Sequence, residues 1–154
     1  MRVRVIVPTL ALLFAGVVVC LADNPNMGTW KLNEAKSKFS PGSPKNHTVV
    51  YEAAGDDVKV TVDGIDAAGN ATHNEWTGKF DGKDYPVTGD PTSDTRSYTQ
   101  VDDHTLTFTA KKGDQVTLTG RVVVSADGRT RTVTTTATDS KGKKVSSTAV
   151  FDKQ

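Results

Sequence analysis

Residues 115–138 read QVTLTGRVVVSADGRTRTVTTTAT, and the periodicity of this stretch decides the fold class. Val116, Leu118, Val122 and Val124 alternate with Gln115, Thr117, Thr119 and Arg121, and from Thr130 to Thr138 threonine occupies every even position. A β-strand sends successive side chains to opposite faces, so a period of two is the mark of strands with one face turned inward. Thr and Val are branched at Cβ, stiff about χ1 and suited to a pleated surface. Between the two runs, Asp127-Gly128 supplies the positive φ angles that a tight hairpin needs.

The same pattern extends outward from this hairpin. Val58, Val60 and Val62 alternate with Lys59 and Thr61; Leu106 and Phe108 alternate with Thr105, Thr107 and Thr109. Turn signals interrupt the runs at Gly55-Asp56, Ala68-Gly69-Asn70, Asp81-Gly82, Gly89-Asp90-Pro91, Asp102-Asp103, Lys112-Gly113-Asp114 and Lys141-Gly142-Lys143. The runs between them predict strands near 28–33, 46–54, 57–65, 70–80, 83–88, 94–101, 104–111, 114–125, 129–139 and 143–152. The best helical candidate after residue 22, Asn33 to Lys38, is a turn or two at most and is ended by Ser40-Pro41-Gly42. Short connections make sequential strands antiparallel. Such a meander leaves a greasy face and two edges unless it closes into a barrel or folds into a sandwich. The expectation is all-β: an antiparallel up-and-down meander closed into a small barrel of roughly 8–10 strands.

Ahead of the first strand, residues 1–23 read MRVRVIVPTLALLFAGVVVCLAD. Arg2 and Arg4 precede a nearly unbroken apolar run, and Ala22 offers a small residue at the cut. That order predicts a signal peptide over residues 1–22, a single domain over 23–154, and a secreted or periplasmic location. The run also approaches the roughly 17 residues that span a bilayer, which keeps an uncleaved anchor as an alternative. Lipidation at Cys20 is another, although Val17-Val18-Val19 stands where a small residue is usual. After cleavage no membrane span is expected. Removing Arg2 and Arg4 from the 19 basic residues leaves 17 against 18 acidic ones. With no basic stripe to displace counterions from phosphates, nucleic-acid binding is excluded. The single cysteine lies in the predicted signal, so the mature chain has no disulfide.

Residues that carry chemistry are sparse. His73 and Glu75 share one face of a predicted strand, where they are two metal ligands without a third or two solvated polar groups. His104 follows Asp102-Asp103 in a predicted turn. There is no nucleophile elbow, no His-Glu-x-x-His and no phosphate-binding glycine loop. No catalytic residue, metal site or cofactor is assigned.

Gly28-Thr29-Trp30-Lys31-Leu32, running on through Lys36-Ser37-Lys38-Phe39, resembles the opening of the calycins, the lipocalins and fatty-acid-binding proteins, whose first strand carries Gly-x-Trp. Val150-Phe151-Asp152-Lys153 is similar to the closing segment of the fatty-acid-binding branch. The chain also resembles exported bacterial lipocalin-like proteins. The resemblance implies a lipocalin-like barrel that holds an apolar or amphipathic small molecule. Two departures limit it. The Arg-x-Tyr carboxylate clamp of fatty-acid-binding proteins is replaced by Ala149 and Phe151, and Asn33 to Lys45 is too short for their helical lid. Three classes follow: a binding module, a filled-barrel interaction protein such as an exported hydrolase inhibitor with a protein partner, and an enzyme with a site in the barrel mouth. The first is preferred.

Parity then places side chains. Trp30 and Arg131 fall at the same end, and Arg131 is expected to stack on Trp30 and close the barrel, as lipocalins pack an arginine on this tryptophan; a solvated surface arginine is the alternative. His47 shares parity with Tyr51, and Arg96 with Tyr98, so these four and Trp76 are expected inside as ligand-binding residues, with Arg96 meeting a ligand anion. Filling of the barrel by the same aromatics is the competing outcome. N-terminal sequencing of the exported protein should begin at Asp23; a chain that starts at Met1 and sediments with membranes would overturn the export reading.

Overall fold

Hydrogen bonding along the alternating segments produces ten strands in the computed structural model, which describes residues 24–139 and 141–154. The predicted signal peptide lies outside the described residues. The strands are β1 (Gly28–Leu32), β2 (Lys45–Ala54), β3 (Asp57–Ile65), β4 (Ala71–Gly78), β5 (Tyr85–Thr88), β6 (Thr95–Asp102), β7 (Thr105–Lys112), β8 (Gln115–Val124), β9 (Thr130–Thr138) and β10 (Lys144–Lys153). Each pairs antiparallel with its neighbours in sequence, and β1 also pairs with β10, so the sheet closes on itself. The all-β meander barrel read from the sequence is therefore the observed fold. A 3-10 turn at Glu34–Lys36, capped by the Asn33 side chain, stands where a short helical stretch was expected.

Closure rests on the five residues of β1 and on the segment that follows it. On one side of β1, Trp30 faces Val49; on the other it faces Lys153, and Leu32 faces Phe151. Beyond the strand, Asn33 Nδ2 donates to Asp152 Oδ2 at 2.7 Å, and Lys38 exchanges two backbone hydrogen bonds with Thr148. These contacts satisfy backbone groups that an open edge would leave bare.

The outward face explains the threonine content. Ser97, Thr109, Thr119, Thr136 and Ser146 lie in register across β6 to β10. Thr136 and Ser146 share a hydrogen bond of 3.1 Å. Branched side chains standing side by side on a pleat contribute roughly 0.2–1 kcal/mol per pair. The inward face carries Trp30, Val49, Tyr51, Val60, Trp76, Tyr98, Leu106, Val122 and Phe151, all buried.

Two of the departures from strict alternation shape the interior. The strand expected over 70–80 ends at Gly78, and Phe80 turns in to stack on Trp76, with centroids 6.3 Å apart and planes 11° apart. Gly78 permits this arrangement, since a Cβ there would strike the rings of Tyr85 and Trp76. Consequently β5 is short, holding β4 and β6 by two residue pairs each. In β2 the register steps from Asn46↔Gly64 to Thr48↔Asp63, leaving His47 as an unpaired bulge residue. Opposite it, a Cβ on Gly64 would collide with the carbonyl oxygen of Lys45. Gly64→Ala should therefore destabilise the barrel by roughly 1–3 kcal/mol, read as a lowered urea midpoint with little change in slope; an unchanged midpoint would show that the bulge yields freely.

Candidate functional site

Because β2, β4, β6, β8 and β10 all start at one end of the barrel, the connections at that end include residues 33–44, 66–70, 89–94, 113–114 and, among the described residues between β9 and β10, 139 and 141–143. Within this rim opens a cavity of about 560 Å³. Pro41, Pro44, Asp66, Pro91 and Asp139 stand at its mouth, and the strands supply its walls, among them Val49, Val62, Leu118, Val133, Val145 and Ala149. The aromatic cluster fills the other side of the barrel: Tyr98 meets Trp76 edge-on at 4.8 Å, and Phe108 leans on Tyr98 at 5.5 Å. Phe108 also lies against Gly120 on the next strand, where any Cβ would displace the ring. A glycine opposite an aromatic thus sets the depth of that wall.

The cavity floor is made by Tyr51, Phe151 and Arg131. The guanidinium carbon of Arg131 lies 4.7 Å from the Tyr51 ring centroid, 5.5 Å from Phe151 and 5.8 Å from Trp30. Its Nη2 donates to the Tyr51 hydroxyl at 3.0 Å. The expected contact between Arg131 and Trp30 is present, and two further rings surround the cation. Each such contact is worth roughly 0.5–2 kcal/mol, more when desolvated. Below the floor, Trp30 donates its indole N–H to the Asn26 carbonyl at 2.9 Å, with the Lys153 ammonium 5.2 Å from its ring centroid. Burial pushes the Tyr51 phenol above its usual range against the opposing charge of Arg131, so it remains a neutral partner.

Arg96 is placed differently. Its side chain lines the cavity near the mouth and is 8 % exposed. Its Nη2 sits 3.2 Å from Asp90 Oδ2 and 3.4 Å from Asn74 Oδ1. Burial pushes the Asp90 carboxyl up, but hydrogen bonds from Ser93 and Thr92 and the charge of Arg96 outweigh it, holding Asp90 below the usual carboxylate range. Arg96 is thus a neutralised cation, held by a residue that the sequence marks only as part of a turn.

Of the residues expected inside, Tyr51, Arg96, Tyr98 and Arg131 line the cavity together. Trp76 is buried but stands behind Tyr98, its indole N–H donating to the Arg96 carbonyl at 2.8 Å. Trp30 lies beneath Arg131 and is fully buried. The inward placement of His47 is corrected: the bulge beside it reverses the alternation, so His47 is exposed and Asn46 lines the cavity instead. His73 is on the outer face, its Nδ1 2.6 Å from Asp63 Oδ1 and its Nε2 3.5 Å from Glu75 Oε1. Among the described residues, no three His, Cys, Asp or Glu side chains form a group able to hold a metal. Nor is any helix among them long and apolar enough to cross a membrane.

No protein-family model matches the chain, and no curated protein matches it.

The hydrogen bond to Asp63 foremost, with support from Glu75, raises the His73 pKa above its usual value. A raised folded-state pKa means that the stabilisation is complete at acid pH, below the unfolded histidine value of about 6.5. It is lost as pH rises through the folded value. NMR titration should place the His73 midpoint above the ordinary histidine value of about 6.5, and Asp63→Asn should lower it. A His73 midpoint that does not fall in Asp63→Asn would contradict the pairing.

Proposed function

We propose that this chain is an exported, lipocalin-like small-molecule-binding protein that holds an apolar or amphipathic ligand inside its barrel. The observation that carries this reading is the cavity of about 560 Å³, walled by aliphatic side chains and opening at one rim. That volume lies in the range of ligand pockets, which combine apolar walls with a few polar groups that fix orientation. A filled-barrel interaction protein has no use for such a space, since an empty apolar void lowers stability in proportion to its volume. The Gly28-Thr29-Trp30 opening and its arginine partner support the calycin comparison, and the apolar N-terminal run supports export. Binding, rather than catalysis, is the role assigned to the cavity.

Purified protein titrated with an environment-sensitive apolar dye should bind one equivalent, and 1-decanol should displace it and raise the melting temperature. Leu118→Trp, which places a large ring in the wall, should weaken both effects at least about tenfold, the scale set by a methylene or more of overpacking. If neither dye nor alcohol binds, the binding role is wrong.

A further inference from the structure

We infer that the ligand enters head first and that its head is an anion, a carboxylate held on the barrel floor by Arg131. This rests on the binding role proposed above and adds the ligand's chemical class and orientation.

Three observations carry it. Arg131 is 4 % exposed, and its Nε and Nη1 have no hydrogen-bond partner among the described residues. None of the salt bridges among the described residues involves it. It lines the cavity, with Nε and Nη1 themselves covered by the side chains around the guanidinium. A buried guanidinium with one neutral hydrogen-bond partner is unfavourable, because arginine does not deprotonate to escape the cost. The aromatic rings around it offset part of that cost but accept no N–H. A carboxylate presents two oxygens to the guanidinium fork, and in a water-poor site the pair is strong.

The contrast with Arg96 decides between the two arginines. Arg96 was the residue expected to meet an anion, but Asp90 already faces it at 3.2 Å. An anion there would have to displace a carboxylate that Ser93 and Thr92 also hold. At Arg131 no carboxylate has to be displaced; a head group has only to shift a ring beside the guanidinium. Lys153, on the far side of Trp30, adds a second positive charge at the same end. Above the floor, Val49, Val133 and Ala149 line the path to the mouth, where an apolar tail would lie. The motif of the fatty-acid-binding proteins has no part in this, since Ala149 and Phe151 occupy its positions; the arginine here comes from β9 and its tyrosine from β2.

The test compares decanoate with 1-decanol, which share a tail and differ in charge, on wild-type protein and on Arg131→Met. Methionine keeps an apolar stem against the three rings and removes the charge. In the wild type, decanoate should bind about tenfold or more tighter than decanol, the difference expected for a charged hydrogen-bonded pair. In Arg131→Met this preference should vanish while decanol still binds. Equal binding of acid and alcohol to the wild type leaves the binding role standing and overturns the anion site. Persistence of the acid preference in Arg131→Met overturns it too, placing the head elsewhere. Failure of both probes on the wild type overturns the binding role and this inference together. Should Arg131→Met not fold, carboxyl-labelled decanoate bound to the wild type decides: its carboxyl must titrate below the free acid, and an unchanged titration overturns the proposal.

Discussion

A pleated sheet closed on itself delivers every second side chain into one shared interior, and that geometry governs the rest of the molecule. Once β1 holds β2 on one side and β10 on the other, the inward residues of all ten strands compete for the same space. Aromatic side chains take the volume on the β4–β6 side, where Trp76, Phe80 and Tyr98 pack together. On the β8–β10 side the inward residues are smaller, including Val133, Ala137 and Ala149, and there the cavity remains. The distribution of side-chain size around the ring, rather than any one residue, makes the interior lopsided.

The two interior arginines show how the same side chain serves different ends in one barrel. Arg96 has a carboxylate, an amide and a supporting set of hydroxyls, and it ties the β5–β6 connection to the wall. That tie braces the sheet where β5 is weakest. Arg131 has a phenol and three ring faces. Replacing a buried ion pair by apolar groups is often tolerated, whereas removing one partner strands the other. Asp90 is such a stranded partner whenever Arg96 is lost, whereas loss of Arg131 strands no carboxylate.

Much of the fold is legible because its signals are local. Val and Thr at alternate positions specify strands, Asp-Gly and Gly-Asp pairs specify reversals, and the need to hide two edges specifies closure. The position of Arg131 above Trp30 also follows from strand direction and parity alone. Legibility fails where backbone irregularity intervenes. Nothing in Asn46-His47-Thr48 announces the bulge, yet it exchanges Asn46 for His47 at the cavity wall. Asp90 is hidden for another reason: in Gly89-Asp90-Pro91 an aspartate reads as a turn former, and only the folded β5–β6 loop brings its carboxylate back to Arg96. Parity puts Trp76 on the inner face, where it is buried, but does not say which of two inward aromatics stands in front.

The pairing order has a kinetic side. Nine of the ten seams in the barrel join strands adjacent in sequence, and such hairpins form quickly because little chain entropy is lost in closing them. The tenth seam, between β1 and β10, joins residues such as Asn33 and Asp152 that are 119 positions apart. A chain emerging N-terminus first presents β1 early and its partner last. Until β10 arrives, Trp30 has only one neighbouring strand and the growing sheet keeps two open edges. That seam carries the largest loop-closure cost of the ten, and until it forms the two open edges are exposed to pairing with another copy of the sheet.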